Sequence, residues 1–178
     1  MTIYKKYEHN PPHLFKENSK YFITGATYQH KHYFKTTAAK EHLIHSIKKG
    51  FNENNWMLED WVILDNHYHL MVQAGEDGTL LSEIMRDIHK FTAIWLNKYD
   101  NEPKRKVWYN YWDSCINYER SYFARLNYIW YNPVKHGYCH NSEDYTFGSF
   151  YYRYLKEQGY LDALKLQYPW DKVDVFDL

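Results

Sequence analysis

Trp61-Val62-Ile63-Leu64-Asp65-Asn66-His67-Tyr68-His69-Leu70-Met71-Val72-Gln73 is the stretch from which the fold can be read. Two apolar runs flank the turn pair Asp65-Asn66, which predicts a β-hairpin with strands over Trp56 to Leu64 and His67 to Ala74. Successive strand side chains alternate between faces, so His67 and His69 share one face and Tyr68 takes the other. Two imidazoles on one face, with no cysteine nearby, make two thirds of an open metal site. Asp65 is in phase with them, although a turn breaks the alternation. The competing reading is a half-buried strand whose histidines bond to their neighbours. The chain has eleven histidines and a second such pair, His30-Lys31-His32, in a polar setting that reads as loop or strand-end surface.

Outward from the hairpin, Lys20 to Tyr28 is β-rich and predicts a first strand. Leu43, Ile44, Ile47 and Phe51 fall at helical spacing behind Thr36-Thr37, either of which can cap the start, and Asn52 to Asn55 breaks that helix. Leu80, Leu81, Ile84, Ile88, Phe91, Ile94 and Trp95 give an amphipathic helix ending near Tyr99. Val107 to Asn117 predicts a fourth strand. Tyr118 to Tyr131 predicts a third helix, stopped by Asn132-Pro133, because proline disfavours helix in the residue before it. The order is β-α-β-β-α-β followed by a helix, an α+β, ferredoxin-like plan: an antiparallel sheet with helices on one face, plus a C-terminal helix. One domain spans 1–178, with its core at about 20–152, an N-terminal arm at 1–19 and a C-terminal tail at 153–178. This fold hosts many functions and selects none.

Aromatic residues make up 20% of the chain, including 20 Tyr and 7 Trp, a composition suited to stacking on bases as well as to core packing. The net charge of zero argues against a bulk electrostatic nucleic-acid binder. Residues 1–50 nevertheless hold nine lysines against three glutamates, a balance of +6, and residues 51–100 balance at −6. The basic third could line one face or be a solvated helix surface. Two cysteines are too few for a disulfide framework, no apolar run approaches membrane-spanning length, and the N-terminus has no signal-like apolar region. A cytoplasmic protein with no membrane partner is expected.

The third helix carries the other half of the chemistry. Tyr128 and Asn132 are four residues apart and share a face, with Arg125 one turn earlier. A tyrosine hydroxyl is a usable nucleophile when a metal or base lowers its proton affinity. An Asn side-chain oxygen is a hard neutral ligand that suits Mg²⁺ or Mn²⁺. Tyr122, Tyr128, Trp130 and Tyr131 could equally be packing, and Asn132-Pro133 an ordinary helix stop.

The blocks D-N-H-Y-H-L-M-V (65–72), V-W-Y-N-Y-W-D-S-C-I (107–116), N-Y-I-W-Y-N-P-V-K-H-G-Y (127–138) and D-Y-T-F-G-S-F (144–150) together resemble the REP-associated tyrosine transposases. These belong to the single-tyrosine HUH transposase superfamily, the IS200-like transposases. The resemblance runs from about Lys20 to Tyr152. By that resemblance His67 and His69 match the metal ligands, Tyr128 the nucleophile, and Asn132 the third polar residue on the nucleophile's helix. It implies a single-strand DNA endonuclease, dependent on Mg²⁺ or Mn²⁺, that also rejoins strands. Such an enzyme acts at hairpins of palindromic repeats and leaves a 5′-phosphotyrosine and a free 3′-OH. Arg125 or Lys135 could hold DNA phosphate, and the protein would act as a monomer or homodimer. This chain has Asp65 where family members often carry proline, and it is neutral where they are usually basic. Two other functions compete: a non-catalytic hairpin-binding protein with the same fold, and a metal-dependent hydrolase using His67 and His69 on another substrate. The helical spacing of Tyr128 and Asn132 argues against the hydrolase.

Overall fold

In the computed structural model the described residues are 18–76 and 79–168. Most of the predicted N-terminal arm, and the acidic, aromatic end of the tail, lie outside them. The first strand, β1, spans Lys20–Thr27, and the helix α1, Thr37–Glu53, follows it with the Thr36 hydroxyl accepting from Ala39 N at 3.2 Å. The hairpin forms as β2, Met57–Ile63, and β3, His67–Gln73. Then come α2, Leu81–Tyr99, β4, Trp108–Ile116, α3, Glu119–Lys135, and α4, Ser149–Gln167. No helix among the described residues is long and apolar enough to cross a membrane.

The sheet order is β2-β3-β1-β4, with every neighbouring pair antiparallel. β3 sits between β1 and β2, which is the split β-α-β plan expected from the element order. Alternation sorts the side chains into two cores. Tyr21, Ile23, Tyr68, Leu70 and Val72 pack with Leu43, Ile47, Ile84 and Ile88 of α1 and α2. Phe22, Val62, Leu64 and Met71 pack on the opposite face with Leu126, Ile129 and Trp130 of α3 and with Phe150, Leu161 and Leu164 of α4. Both faces of the sheet are therefore covered, one helix pair to each side.

Two features differ from the sequence expectation. The third helix does not stop at Asn132-Pro133; it runs on to Lys135 with Pro133 inside it. Pro133 falls in the final turn, so the one intrahelical bond it forfeits lies where the helix is about to end anyway. The true stop is Gly137, at φ +73°. Tyr138 N donates to Pro133 O at 2.8 Å and Gly137 N to Val134 O at 3.0 Å, the two bonds of a Schellman ending. The second difference is α4, a helix whose pattern the tail hides. Its Leu155 and Leu166 are exposed and its apolar residues follow no single stripe, so its position comes from specific partners. Asp60 on β2 is the main one: it accepts from Trp130 Nε1 (2.9 Å), Ser149 Oγ (2.7 Å) and Arg153 Nη1 (2.6 Å), tying β2 to α3 and α4.

One glycine is set by a close approach. Tyr68 lies across β1 at Gly25, its hydroxyl 2.7 Å from His89 Nε2, and a Cβ on Gly25 would fall 2.1 Å from Tyr68 Cζ. Gly25→Ala is therefore expected to push the ring out of a filled core and to destabilise by about 2–3 kcal/mol, lowering Tm by roughly 5–10 °C. A thermal melt unchanged from the wild type would show that the Tyr68 ring relocates freely.

Candidate active site

The site lies where β3 faces α3. His67 and His69 point to the α3 side, as strand alternation requires, and Tyr68 to the other. Both imidazoles are buried, at 4% and 0% exposure. Each has an oxygen beside its Nδ1: Asn66 Oδ1 at 2.8 Å for His67 and Thr24 Oγ1 at 2.8 Å for His69. An N–H at Nδ1 donating to that oxygen leaves the Nε2 lone pair of both rings available, which is how second-layer partners orient metal-binding histidines. Burial drives the His67 pKa down to about 3, with His136 adding to the effect, and burial holds His69 well below its ordinary value. Both rings are thus neutral throughout the physiological range.

The helix supplies the remaining groups. Asn132 Oδ1 is 3.2 Å from His67 Nε2. The Tyr128 ring packs edge-on to His69, with centroids 5.1 Å apart, and to Phe22 at 6.2 Å. Tyr128 is 2% exposed, so its hydroxyl is enclosed and not open to solvent. Three buried polar atoms here have no hydrogen-bond partner: His69 Nε2, Tyr128 Oη and Asn132 Nδ2. Buried polar atoms rarely go unpaired, and a group of them in one place points to a missing species or to chemistry.

Among the described residues no three His, Cys, Asp or Glu side chains gather closely enough to hold a metal. Any cation would rest on two imidazoles and an amide oxygen. One pair of these atoms has a separation that suits a shared cation: ligands at right angles on bonds of about 2.0–2.2 Å stand about 3 Å apart, and His67 Nε2 is 3.2 Å from Asn132 Oδ1. With its N–H at Nδ1, His67 also faces Asn132 lone pair to lone pair, and a shared cation relieves that contact. Turning the amide over so that its NH₂ donates is the metal-free alternative.

The two candidate DNA contacts are in different settings. Lys135 Nζ sits 5.1 Å from the Tyr128 ring centroid, and partial burial lowers its pKa. Arg125 is half-buried, bonded to Ser121, with its guanidinium 5.9 Å from the Phe22 ring. Asp65 is not part of the site: it turns away to accept from Lys40 Nζ at 2.7 Å. His30 and His32 stay on the surface, His32 Nδ1 lying 3.5 Å from Asp65 Oδ2. A cavity of about 780 Å³ between α1 and α2 lies across the sheet from the histidines and has no part in this site.

Sequence reasoning missed Thr24, Asn66 and His136, whose ring meets His67 edge-on at 4.8 Å. Asn66 could have been found from its place beside His67. Thr24 reaches His69 only through the pairing of β1 with β3, which no local pattern encodes.

Comparison with known proteins agrees with this architecture. The family model described as "Transposase IS200 like" matches residues 15–126, which takes in both histidines and ends just short of Tyr128. The REP-associated tyrosine transposase of Escherichia coli (strain K12) is 27% identical over 142 residues, covering 76% of this chain and 82% of that protein. A solved structure described as a REP-associated tyrosine transposase bound to a REP hairpin superposes with a TM-score of 0.67 at 23% identity, covering 100% of this chain and 95% of that one. At that identity the superposition shows a shared fold. The family match extends over more than half of the sequence, and the chain belongs to the IS200-like transposase family and is a transposase.

Proposed function

We propose that this transposase is a metal-dependent endonuclease and strand-transferase for single-stranded DNA, acting at hairpin-forming repeats through a 5′-phosphotyrosine on Tyr128. The observation that carries this reading is the convergence of the unpartnered Tyr128 Oη, His69 Nε2 and Asn132 Nδ2 beside His67. His67, His69 and Asn132 would hold Mg²⁺ or Mn²⁺. Bound there, the ion would supply Lewis-acid polarisation of a non-bridging phosphate oxygen.

The chain's own residues do the rest. Thr24 and Asn66 keep the imidazole lone pairs aimed inward, and Asp60 fixes α3 against β2, so the phenol is positioned before substrate arrives. The Tyr128 Oη–P bond forms as the P–O3′ bond breaks. The phenol gives up one proton and the departing 3′-oxygen takes one up, so the step is proton-neutral. The ester linkage conserves the phosphodiester energy, and a DNA 3′-OH can attack it to rejoin. Lys135 beside the ring would favour the phenolate and the phosphate, and Arg125 could contact the strand further along α3. The similar protein solved with a REP hairpin supports a hairpin substrate here. We take the protein to act in the cytoplasm, as a monomer or homodimer.

Incubation with labelled hairpin DNA and Mn²⁺ should give a protein–DNA adduct that survives SDS. The enclosed Tyr128 hydroxyl favours, as a second reading, a hairpin-binding protein without turnover, which would bind the same DNA and give no adduct. Binding itself should prefer single-stranded or hairpin DNA over the matching perfect duplex, because aromatic faces stack on unpaired bases. Anisotropy at one stated salt concentration compares them, since phosphate contacts make binding salt-dependent. Equal or tighter duplex binding would sink the single-strand preference.

A further inference from the structure

β4 is an edge strand, and its register with β1 skips a residue: Thr27 pairs with Trp108 and Ala26 with Asn110, leaving Tyr109 as the extra residue of a bulge. Trp108 turns into the α1/α2 core. Tyr109 follows on the opposite face, and the bulge returns Asn110 to that same face, with Trp112 next in phase. Bulges at sheet edges commonly re-aim a side chain beside an active site. The face in question is the one that carries the histidines. Cross-strand rows run His67–Ala26–Asn110 and His69–Thr24–Trp112. Trp112 is thus two strands from His69, about 10 Å at ordinary strand spacing, with only the short Thr24 side chain between them.

The rings on this edge do not behave as core. Tyr109 is 54% exposed and Trp112 is half-buried, their centroids 6.0 Å apart at 40°. Lys106 Nζ lies 5.9 Å from the Tyr109 centroid and 4.5 Å from that of Tyr28. Around the histidine rows β1 and β4 place Thr24, Ala26, Tyr109, Asn110 and Trp112 on this face, with no carboxylate among them. Asp113, the only acidic residue of β4, pairs with Ile23 and faces the α1/α2 core. Aromatic faces with a cation at their edge, and no carboxylate among the described β1 and β4 residues on the same face, suit a base together with its phosphate. A base offers its face only when unpaired, which commits the surface to single strand.

We infer that Tyr109 and Trp112, aimed by the β4 bulge onto the histidine face, form a stacking ledge for the unpaired nucleotides flanking the scissile phosphate. This rests on the single-strand reading above. The test compares a hairpin carrying a single-stranded extension with the same hairpin lacking it, by anisotropy at fixed salt, for Tyr109→Ala, Trp112→Ala and the ring-keeping Tyr109→Phe and Trp112→Phe. Each Ala variant should bind the extended hairpin about tenfold more weakly, with the bare hairpin unchanged and the Phe variants close to wild type. Trp112→Phe should also lose fluorescence quenching that the extension causes in the wild type. Tyr109 is more than half exposed, so Tyr109→Ala keeps the test open should Trp112→Ala fail to fold.

Wild-type affinity for the extended hairpin in a folded Ala variant would overturn the ledge, as would an equal loss on the bare hairpin, which would assign these rings to the stem. Ledge-dependent binding without any Tyr128 adduct would remove the catalytic reading and leave the ledge. Failure of the wild type to bind either DNA would remove both.

Discussion

Tyr128→Phe is expected to abolish the SDS-stable adduct and strand cleavage while leaving hairpin binding and the fold intact. The substitution deletes one oxygen from a ring that packs against His69 and Phe22, and those ring contacts survive. The lost oxygen is buried with no hydrogen-bond partner, so removing it relieves an unpaid desolvation. The variant should be no less stable than the wild type, and more stable by about 1 kcal/mol if the hydroxyl is unpaired in solution as well. A hydroxyl retained at such a cost to stability is what a nucleophile would show. Tyr122 and Tyr131 are the controls. Tyr122 Oη donates to Glu59 at 2.9 Å, and Tyr131 packs towards Lys165 of α4, 5.4 Å from its ring centroid. Their Phe variants should still form adduct, and peptide mapping of wild-type adduct should find the nucleotide on Tyr128. Undiminished cleavage by Tyr128→Phe, or an adduct mapped to another tyrosine, would overturn the assignment; undiminished cleavage with no adduct would restore the hydrolase.

Loss of either inner histidine should reduce Mn²⁺-dependent cleavage on the order of a thousandfold, the rate equivalent of several kcal/mol of Lewis-acid stabilisation. His67→Ala removes a proposed ligand atom that faces Asn132 Oδ1, and His69→Ala one that has no hydrogen-bond partner. His69 also stacks on Phe22 at 5.4 Å, so His69→Gln, which refills most of the volume, separates a lost ligand from lost packing. Mn²⁺ binding followed by EPR reads the ligand loss directly, without turnover. His30→Ala and His32→Ala should leave both readouts nearly intact. The His30 contact to Asn66 runs through the His30 main-chain carbonyl, which alanine retains, and the His32 side chain is exposed. Equal loss from the outer pair would move the metal to the other H-x-H motif.

Local pattern carried much of this protein. The alternation of Trp61–Gln73 around Asp65-Asn66 fixes a hairpin and sends both histidines to one face, because strand side chains have a period of two. The spacing of Tyr128 and Asn132 puts both on one helix face whatever the helix packs against. Those two facts, with the order of elements and the family resemblance, were enough for the split β-α-β plan and for the meeting of His67, His69, Tyr128 and Asn132, but not for Thr24, Asn66 or His136.

What no local pattern could contain is the set of partners met across the sheet and between layers. Thr24 orients His69 only because β1 pairs with β3, and Tyr109 turns onto the site's face only because β4 slips one residue against β1. Pro133 reads locally as a helix stop, but Asn132 stays helical because the terminating geometry belongs to Gly137 and the bonds around it. Helix α4 has too weak a stripe to be read alone, and it is held by the buried Asp60, 89 residues from Ser149 and 93 from Arg153. Period and spacing are properties of one segment and are written in it; pairing register, burial of a hydroxyl and long-range ion pairs are properties of two segments at once, and only packing decides them.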